Sequence, residues 1–583
     1  MLGLLRGRKG EGVMPSIPRA RALQKFQKDL VLGTLPEDVL NGLGETIENA
    51  DIIAPEKSRQ RHMHIIGSNG SGKSRFMRTL IQQDIREGRG LCLIDPHGTQ
   101  CEDVLAWLTN NPRLAKHRKV RYFKIGEGRR VVAFNPLAVE DKLHAHATAT
   151  RVADAIGRLF SEDDLRHQPR THEVLVLLLI TLAENGLTLA DYPLFLNTKY
   201  RPDVEHLIKG LTSRLAREQW QILARYKTNE FTEYVSSVAR RLFTLMGNPI
   251  IGAVFSQVDA TIDLRASMDA GEILLFNLRD TEIFDAGSAQ LFGLLLISSL
   301  FSQSKLRANT KPYFLYLDEA HRFLSGSNLA EIFEECRKYG LHLALAHQNL
   351  GQLRDAGERV FSTVINEAEI KAVFSIKEPE DAKYLVQLLY RGGAIDPNRI
   401  KDVLTKPTVV GYTIGHLESR SQSTSTVKGS GQNDISGSAI SLTPDAGLLT
   451  SPTQLGQVQS SSATSLDTHA QGTASAETRA ETLMPTLEDR PGGTWSIDEQ
   501  VFVLADELAS LPTQYGVISI GGRVCLKFRA LDAPDEHISQ SVLGEYLKRV
   551  EEENPYLRPL ETAARKLPDP PPREVPEEPD FLE

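Results

Sequence analysis

Cysteine is scarce in this chain, and the cysteine spacing of structural metal sites is absent. The 583 residues include four cysteines, with no CxxC pair and no His or Cys partners at zinc spacing. This excludes a zinc-finger protein and a small disulfide-bonded scaffold, and it favours a reducing compartment. We therefore expect the protein in the cytoplasm.

Long apolar runs are also missing. The longest, at 174–183 and 291–301, are shorter than the roughly 20 residues that span a bilayer. The N-terminal residues 1–18 carry basic residues but no apolar segment of signal-peptide length. The sequence thus predicts no intrinsic transmembrane segment, and association with the inner face of a membrane would depend on partners.

A strong charge of one sign is the third absence. Net charge is −8, from 67 basic and 75 acidic residues, which excludes a uniformly basic nucleic-acid coat. A local basic surface is sufficient for DNA binding, so that function stays open. Hydrophobic residues make up 41% of the chain, enough for a sizeable core, and the length allows about three or four domains.

A phosphate-binding loop is the clearest feature that is present. Residues 67–74, "GSNGSGKS", fit the Walker A pattern G-x-x-x-x-G-K-[ST] between an apolar strand and a helix. Lys73 is predicted to contact the β- and γ-phosphates of ATP, and Ser74 to bind Mg²⁺. A glycine-rich turn without ligand is the alternative, and the strand–loop–helix context argues against it. The predicted nucleotide-binding residues are Gly67, Asn69, Gly70, Ser71, Gly72, Lys73, Ser74 and Arg75.

An acidic partner for this loop follows a second apolar strand, "YFLYLDE" at 313–319. Asp318 is predicted to hold Mg²⁺ through water, and Glu319 to polarise the attacking water, as in a Walker B motif. The alternative is that both acids only cap the next helix. Asp95 in "LIDPHG" is a further strand-ending acid, and a turn-forming role before Pro96 explains it equally well.

Strands that alternate with helices predict an α/β fold with a mainly parallel sheet. Apolar residues at helical spacing predict an all-α domain inserted at 146–259. Residues 419–490 are rich in Ser, Thr and Gln and contain no Phe, Trp or Tyr, so we predict disorder there. The predicted strands are 61–68, 90–96, 120–125, 271–278, 312–319, 341–348 and 370–376.

The remaining segments complete a predicted domain organisation. A helix at 494–511 and a hairpin with a Gly-Gly turn at 515–530 are expected near the C-terminus. The predicted boundaries are an N-terminal extension (1–60), the first part of the NTPase domain with Walker A (61–145), the helical insertion (146–259), the second part with Walker B and sensor (260–418), a disordered linker (419–490), a helix–hairpin element (491–535) and an acidic Pro-rich tail (536–583).

The string "DEAH" at 318–321 matches the name-giving motif of DEAH-box helicases, but the rest of the chain does not. Lys73 and Asp318 lie 245 residues apart, much further than in those helicases. The strand after the acidic motif reads "LALAHQ" where a Ser-Ala-Thr motif is expected, and the signature of a second RecA lobe is missing. The resemblance to these helicases ends with the four letters.

Four segments in this order resemble the HerA/FtsK-type ring ATPases: "RHMHIIGSNGSGKS", "LIDPHG", "YLDEAHRFL" and "ECRKYGLHLALAHQ". With a helical domain between the Walker motifs, they resemble more specifically the conjugative coupling proteins of the TraD/TraG kind, the DNA pumps of type IV secretion. The resemblance covers about 60–420 and, more loosely, 490–530. One departure is Thr99, where many members carry an acidic residue.

The resemblance implies a RecA-like fold, a homo-hexamer, ATP hydrolysis and DNA as substrate. It implies that Gln348 senses the γ-phosphate and that Arg337 reaches the nucleotide of a neighbouring subunit. The alternative for Gln348 is a residue at a strand end whose side chain bonds only to the backbone. The alternative for Arg337 is a charged helix residue that faces solvent. Arg354 and Arg359 are weaker candidates for the arginine role, whereas Cys336 and His321 are expected to be ordinary helix residues.

Partners implied by the resemblance are DNA, the relaxase or relaxosome, and type IV secretion channel proteins. A surface of solvated charges is the plainer explanation for the basic residues of the helical insertion. Two other functions stay open: a HerA-like helicase–translocase of repair or phage defence, and a recruitment platform built on 419–583. The candidate DNA contacts are Arg214, Arg217, Arg225, Lys227, Arg240 and Arg241.

Overall fold

A large, mostly parallel β-sheet organises the chain. In the part of the chain that is described, eleven strands form this sheet in the order β4-β1-β16-β15-β12-β5-β11-β10-β6-β9-β7. The computed structural model describes residues 30–36, 39–40, 46–47, 50–127, 130–160, 169–197, 202–258, 261–323, 327–390, 395, 408–425, 472–488, 495–522, 524–533 and 538–560. The strands are β1 Leu30–Thr34, β2 Val39–Leu40, β3 Thr46–Ile47, β4 Asp51–Ala54, β5 Met63–Ile66, β6 Gly90–Asp95, β7 Val120–Lys124, β8 Arg130–Val132, β9 Ile273–Asn277, β10 Tyr313–Leu317, β11 Leu341–His347, β12 Ile370–Phe374, β13 Thr408–Ser425, β14 Gly472–Glu488, β15 Tyr515–Ile520, β16 Val524–Ala530 and β17 Leu557–Pro559.

The seven strands from β12 to β7 run parallel, and they confirm the strands predicted from the sequence. Every residue of β5, β6, β9, β10 and β11 is buried, because helices cover both faces of a parallel sheet. Strand β11 lies between β5 and β10, so the Walker A and Walker B strands are not direct neighbours. This is the RecA-like α/β fold that the sequence predicts.

Four antiparallel strands extend the sheet beyond β12. The hairpin β15–β16 pairs with β12, and β1 and β4 pair beyond the hairpin. Gly521 and Gly522 both have positive φ, 63° and 64°, as the predicted Gly-Gly turn requires. Strands β1 and β4 lie within residues 1–60, which we predicted as an extension. Strand β1 pairs with β16, roughly 500 positions further along the chain, and no local pattern reveals this pairing.

Helices connect the parallel strands and cover the sheet. They are Glu56–Arg59, Lys73–Arg86, Thr99–Asn110, Pro112–His117, Ala145–Leu159, Pro169–Glu184, Tyr192–Leu196, Glu205–Lys209, Arg214–Ala224, Thr228–Met246, Pro249–Phe255, Leu264–Ala270, Ala286–Ser304, Ser327–Glu335, Leu350–Asp355, Glu358–Glu367, Pro379–Leu389, Ile497–Ala509 and Gln540–Glu552, with short 3-10 helices at Ile125–Glu127, Lys142–His144, Leu189–Asp191, Pro202–Val204, Ala320–Phe323 and Cys336–Tyr339.

The described residues between β8 and β9 are helical, as predicted for the insertion. Helix Thr228–Met246 is its longest, and Phe231, Val238 and Leu242 are buried along one side of it. Elsewhere, helix Ala286–Ser304 is long and apolar enough to cross a membrane by length and composition, but 61% of its apolar stretch is buried in the fold. It packs as a core helix beside the sheet.

A buried ion pair links two helices to the Walker B strand. The Arg59 guanidinium contacts both carboxylate oxygens of Asp84, and it also donates a hydrogen bond to the Tyr316 hydroxyl over 2.7 Å. The Tyr316 hydroxyl in turn donates to Asp84 Oδ2 over 2.7 Å. All three side chains are buried and hydrogen-bonded to one another, and Arg89 adds a further contact to Asp84 Oδ1 over 3.3 Å.

Two stretches differ from the sequence predictions. In the smaller of two compact units, residues 398–495, β13 and β14 pair antiparallel, so residues 419–425 and 472–488 of the predicted disordered linker are strands. Residues 426–471 and 489–490 of that linker lie outside the described residues, and disorder there stays a prediction. Backbone pairing of this kind needs no apolar side chains. Within the predicted tail, helix Gln540–Glu552 packs against the NTPase fold and β17 pairs with β8; Tyr546 and Val550 supply buried apolar surface there.

Candidate functional site

The Walker A loop connects β5 to helix Lys73–Arg86 at the carboxyl edge of the parallel strands. Gly70 and Gly72 have φ of 75° and 108°, a conformation that favours glycine. Lys73 Nζ donates to the carbonyl oxygens of Gly67 over 2.5 Å and Ser68 over 3.2 Å, which holds the ammonium over the loop. Burial lowers the pKa of Lys73, and the nearby Glu319 and Asp318 oppose that shift.

A cavity of about 810 Å³ opens beside this loop and joins the ends of several strands. Ser74 and Asn69 come from Walker A, Asp318 and Glu319 from the end of β10, and Gln348 from the end of β11. The structure therefore brings these five predicted residues together. The other residues that line the cavity are His97, Thr99, Arg279, Asp280, His321, Arg322 and Gln352.

Asp318 is the most electrostatically perturbed acid of the cavity. Burial, together with the neighbouring charges of Asp95 and Glu319, raises the pKa of Asp318 to about 7. The Glu319 backbone N–H donates to Asp318 Oδ1 over 3.1 Å, which partly offsets this effect. Three carboxylates thus lie close together, with the Lys73 ammonium as a nearby compensating charge.

Glu319 and Gln348 form the contact that joins β10 to β11 at the cavity. Gln348 Nε2 donates to Glu319 Oε1 over 2.9 Å, while the Gln348 backbone N–H donates to Gln352 Oε1 over 2.9 Å. Glu319 has a φ of 45°, which is costly for a non-glycine residue and recurs at functional sites. Its carboxylate thus faces Gln348 and does not cap the following helix.

His321 lies closer to the chemistry than the sequence suggested. We predicted an ordinary helix residue, yet His321 lines the cavity and its Nδ1 is 3.4 Å from Glu319 Oε2. Burial lowers the pKa of His321, with Glu319 acting in the opposite direction. Cys336, by contrast, does not line this cavity. Its side chain is buried near His62, at the opposite edge of the sheet.

Asp95 has a turn-forming role in this structure. One carboxylate oxygen accepts from the His97 backbone N–H over 2.9 Å, and the other accepts from the Cys101 backbone N–H over 3.1 Å. These bonds hold the turn between β6 and helix Thr99–Asn110. Asp95 acts on the cavity through its charge, which contributes to the raised pKa of Asp318.

The side chains present fit a bound Mg²⁺. Ser74 offers an exposed hydroxyl and Asp318 a carboxylate, and oxygen ligands of this kind are what Mg²⁺ binds together with phosphates. Glu319 Oε2 is buried without a hydrogen-bond partner among the described residues. A divalent cation beside these carboxylates would relieve the repulsion that raises the pKa of Asp318.

The C-terminal segment contacts the Walker A loop from outside. Gln514 N–H donates to the Ser71 carbonyl over 2.9 Å, and Thr513 Oγ1 donates to the Gly70 carbonyl over 3.2 Å. A Cβ on Gly72 would meet the Gln514 backbone nitrogen at 2.9 Å. Arg75, predicted as a nucleotide contact, instead pairs with Asp532 of this segment over 3.4 Å.

Arg337 lies at the other edge of the sheet. It belongs to the 3-10 helix Cys336–Tyr339 before β11, is exposed, and lines a different cavity. The structure does not bring it together with Lys73 or Asp318 of the same chain. The weaker candidates have local partners, because Arg354 pairs with Asp381 over 3.0 Å and Arg359 with Glu334 over 3.6 Å.

Several candidate DNA contacts of the helical insertion also have local partners. Arg214 pairs with Glu218 over 2.7 Å, and an Arg217 guanidinium nitrogen donates to the Leu211 carbonyl. The guanidinium of Arg241 lies 5.9 Å from the centre of the Phe160 ring. Arg225, Lys227 and Arg240 are exposed.

Sequence reasoning missed the cavity residues that follow other strand ends. Arg279 follows β9, and its Nε donates to the His97 carbonyl over 2.7 Å. Asn277, the last residue of β9, accepts from the Arg279 backbone N–H over 3.0 Å and so shapes this turn. The position of β9 beside β6 would have pointed to these residues, but strand order is not visible in the sequence.

Two family models match the chain. Residues 312–390 match the TraM recognition site of TraD and TraG, and residues 43–123 match the central domain of helicase HerA. Both matches support the resemblance to the conjugative coupling proteins among the HerA/FtsK-type P-loop ATPases. A comparison with curated protein sequences finds no significant match.

Solved structures of a coupling protein have the same fold. The bacterial conjugative coupling protein TrwBdeltaN70 in its unbound monoclinic form has 13% identity and a TM-score of 0.51, covering 92% of this chain and 98% of that one. TrwB in complex with the non-hydrolysable GTP analogue GDPNP has 12% identity and a TM-score of 0.51, covering 92% and 99%. The trigonal TrwBdeltaN70 form in complex with sulphate has 14% identity and the same TM-score and coverage.

Proposed function

We propose that this coupling-protein relative is an ATP-hydrolysing, ring-forming DNA translocase that delivers DNA and relaxosome substrates to a type IV secretion channel. The observation that carries this proposal is the convergence of Ser74, Asp318, Glu319 and Gln348 on one cavity beside Lys73. Such a set binds a nucleoside triphosphate, orients a water molecule and senses the γ-phosphate.

The positions of these residues support a proposed role for each. The Lys73 ammonium contacts the phosphates when it leaves the Gly67 and Ser68 carbonyls. Ser74 and Asp318 would hold Mg²⁺, which would supply neutralisation of phosphate charge in this class of reaction. Glu319 accepts hydrogen bonding from the attacking water, and Gln348 fixes the Glu319 carboxylate. The Walker A glycines supply backbone N–H donors for phosphate oxygens.

Arg337 is proposed to act on a neighbouring copy of the chain. Its side chain is exposed and lies away from the cavity of its own chain, so a catalytic contact requires a second subunit. TrwB is described as a plasmid coupling protein, and the match to the TraM recognition site supports relaxosome proteins as partners here. We propose a cytoplasmic hexamer that docks peripherally at the inner face of the membrane through partners.

ATPase assays with and without DNA test the proposal. Wild-type turnover should rise on addition of DNA, with a native mass near six chains. Lys73→Ala should lower turnover by at least about 10²-fold. Arg337→Ala should lower it similarly while nucleotide binding persists. A wild-type protein that hydrolyses ATP at the same rate with and without DNA at low salt would contradict the motor function.

The match of residues 43–123 to the HerA central domain favours a second candidate, a HerA-like helicase–translocase in repair or phage defence. It shares the cavity and the ATPase prediction, so activity assays on the chain alone do not separate the two. Co-purification does: relaxase or channel proteins should be recovered with a coupling protein, and a nuclease with a HerA-like motor. Pull-downs with the full chain and with a variant lacking 426–471, which keeps β13 to β17 in the chain, test the recruitment role.

A further inference from the structure

A second cavity, of about 440 Å³, lies at the amino ends of β5, β10 and β11, on the opposite edge from Walker A. Four cationic side chains line it: Lys57 from helix Glu56–Arg59, Arg61 from the turn before β5, and Arg337 and Lys338 from the 3-10 helix Cys336–Tyr339 before β11. No acidic residue is among its lining residues in the described chain. The nucleotide chemistry proposed above uses only Arg337 of this set.

The positive charge of this cavity is only partly balanced. Arg61 pairs with Glu369 over 3.2 Å, and Lys338 lies 4.0 Å from Glu335. Within the described ranges, no ion pair involves Lys57 or Arg337. Exposed ion pairs of this kind contribute little to stability. An anion that contacts all four cations would therefore replace weak ion pairs with stronger, charge-assisted hydrogen bonds.

The floor of the cavity adds an unused polar group. His342 is only 3% exposed, and its Nδ1 has no hydrogen-bond partner among the described residues. Burial lowers the pKa of His342 to about 3, so the ring is neutral near pH 7. Pro312 is the main apolar residue of the lining. A small, highly charged and hydrogen-bonding ligand suits this composition better than a peptide side chain.

We propose that this cavity, which we name the amino-edge pocket (Lys57, Arg61, Arg337 and Lys338), binds phosphate groups separately from Walker A. Guanidinium groups match phosphate oxygens in pairs, and the two lysines supply point charges. The phosphates belong either to the DNA backbone or to a nucleotide held by a neighbouring copy. Whether DNA or a neighbouring nucleotide supplies these phosphates is a question that rests on the proposed motor function. The existence of a phosphate-binding site in this pocket does not rest on it.

A first experiment tests the site without ATP hydrolysis. Full-length Lys73→Ala, in which Walker A lacks its lysine, is titrated with inorganic pyrophosphate by calorimetry. Adding Lys57→Gln and Lys338→Gln should weaken the remaining binding by about 10-fold or more. The matched control replaces two exposed lysines elsewhere, Lys116→Gln and Lys548→Gln, and should leave it unchanged.

Three results would overturn the site. The first is no binding of pyrophosphate to Lys73→Ala up to millimolar concentration. The others are equal affinity of Lys73→Ala with and without the added Lys57→Gln/Lys338→Gln substitutions, or a loss of affinity in the Lys116→Gln/Lys548→Gln control as large as in that variant. Binding of polyglutamate in place of pyrophosphate, lost in the same double variant, would also overturn it and identify an acidic-protein surface. Thermal melting of each variant checks that the fold is retained.

A second experiment identifies the source of the phosphates in an otherwise wild-type background. If DNA supplies them, the variant Lys57→Gln/Lys338→Gln binds a labelled duplex more weakly and keeps its ATPase activity in the absence of DNA. The slope of log K for DNA binding against log salt concentration should then become smaller in magnitude by about 1–2. If a neighbouring nucleotide supplies them, DNA-free kcat falls and duplex binding is unchanged. If the wild type is active and the variant changes neither duplex binding nor DNA-free kcat, the proposal is overturned. A wild type without ATPase or DNA binding refutes the motor function but not the pyrophosphate result.

Discussion

Gln348 Nε2 donates a hydrogen bond to Glu319 Oε1 over 2.9 Å, so the ends of two neighbouring strands meet at one carboxylate. Glu319 reaches this position with a φ of 45°, a conformation that costs free energy in a non-glycine residue. The bond gives β11 a direct influence on the group proposed to orient water. It therefore connects the predicted sensor to the predicted catalytic acid.

Replacing Gln348 by Ala should lower kcat about 10-fold with little change in KM, because the Glu319 carboxylate loses the donor that orients it. Glu319→Gln should cost more, at least about 10²-fold in kcat, since the proposed base is removed. Phosphate-release kinetics measure both. Gln303→Ala, on helix Ala286–Ser304, is the control. Unchanged kcat in Gln348→Ala would remove Gln348 from the reaction.

Mg²⁺ binding should depend on pH near neutrality. The pKa of Asp318 is raised to about 7, and only the ionised carboxylate binds a cation well. The apparent affinity for Mg²⁺ in the presence of ADP should therefore fall as pH drops below 7, by up to about tenfold per pH unit. Fluorescence titration between about pH 5.5 and about pH 8.5 measures this. A pH-independent affinity would contradict the role of Asp318.

Asp318→Asn should stabilise the protein without bound cation. A carboxyl with a folded pKa of about 7 and an ordinary value of 3.8 binds its proton more tightly when folded. Ionisation thus opposes folding, and stability is lost as pH rises from about 4 to about 7. Denaturant unfolding should give the variant a gain of about 2–4 kcal/mol at pH 8 and almost none at pH 4. An equal effect at both pH values would contradict this explanation.

Nucleotide affinity should depend on the C-terminal segment. Thr513→Val removes the hydroxyl that donates to the Gly70 carbonyl, a loss of about 1 kcal/mol or roughly fivefold in affinity for a fluorescent ADP. Thr513→Ser keeps the hydroxyl and is the matched control. If both variants bind ADP as wild type does, the contact does not position the Walker A loop.

Asp84→Ala should destabilise the fold by about 3–5 kcal/mol, because it leaves the buried Arg59 guanidinium without its carboxylate. The double variant Asp84→Ala/Arg59→Met should recover part of this loss, since the uncompensated charge is then gone. Denaturant unfolding monitored by circular dichroism measures both. If the double variant is less stable than Asp84→Ala, the unpaired Arg59 charge is not the cause of the lost stability.

The parallel strands, the helical insertion, and the Walker A and Walker B motifs were predictable from the sequence alone. Each of these depends on residue types at fixed short spacing: Gly67, Gly72 and Lys73 around a phosphate-binding turn, and apolar runs that suit strands buried on both faces. Gln348 was predicted from the family resemblance, at the end of the predicted strand 341–348, and Asp318 from its place near the end of the predicted strand 312–319.

Only the tertiary structure decided which strand ends lie side by side. It set Gln348 against Glu319, placed His321 at the cavity, paired β1 with a hairpin near the C-terminus, and brought Thr513 to the Walker A loop. It also separated Arg337 from the site of its own chain. These relationships depend on strand order and side-chain direction, which arise from pairing between residues far apart in the chain and leave no local pattern in the sequence.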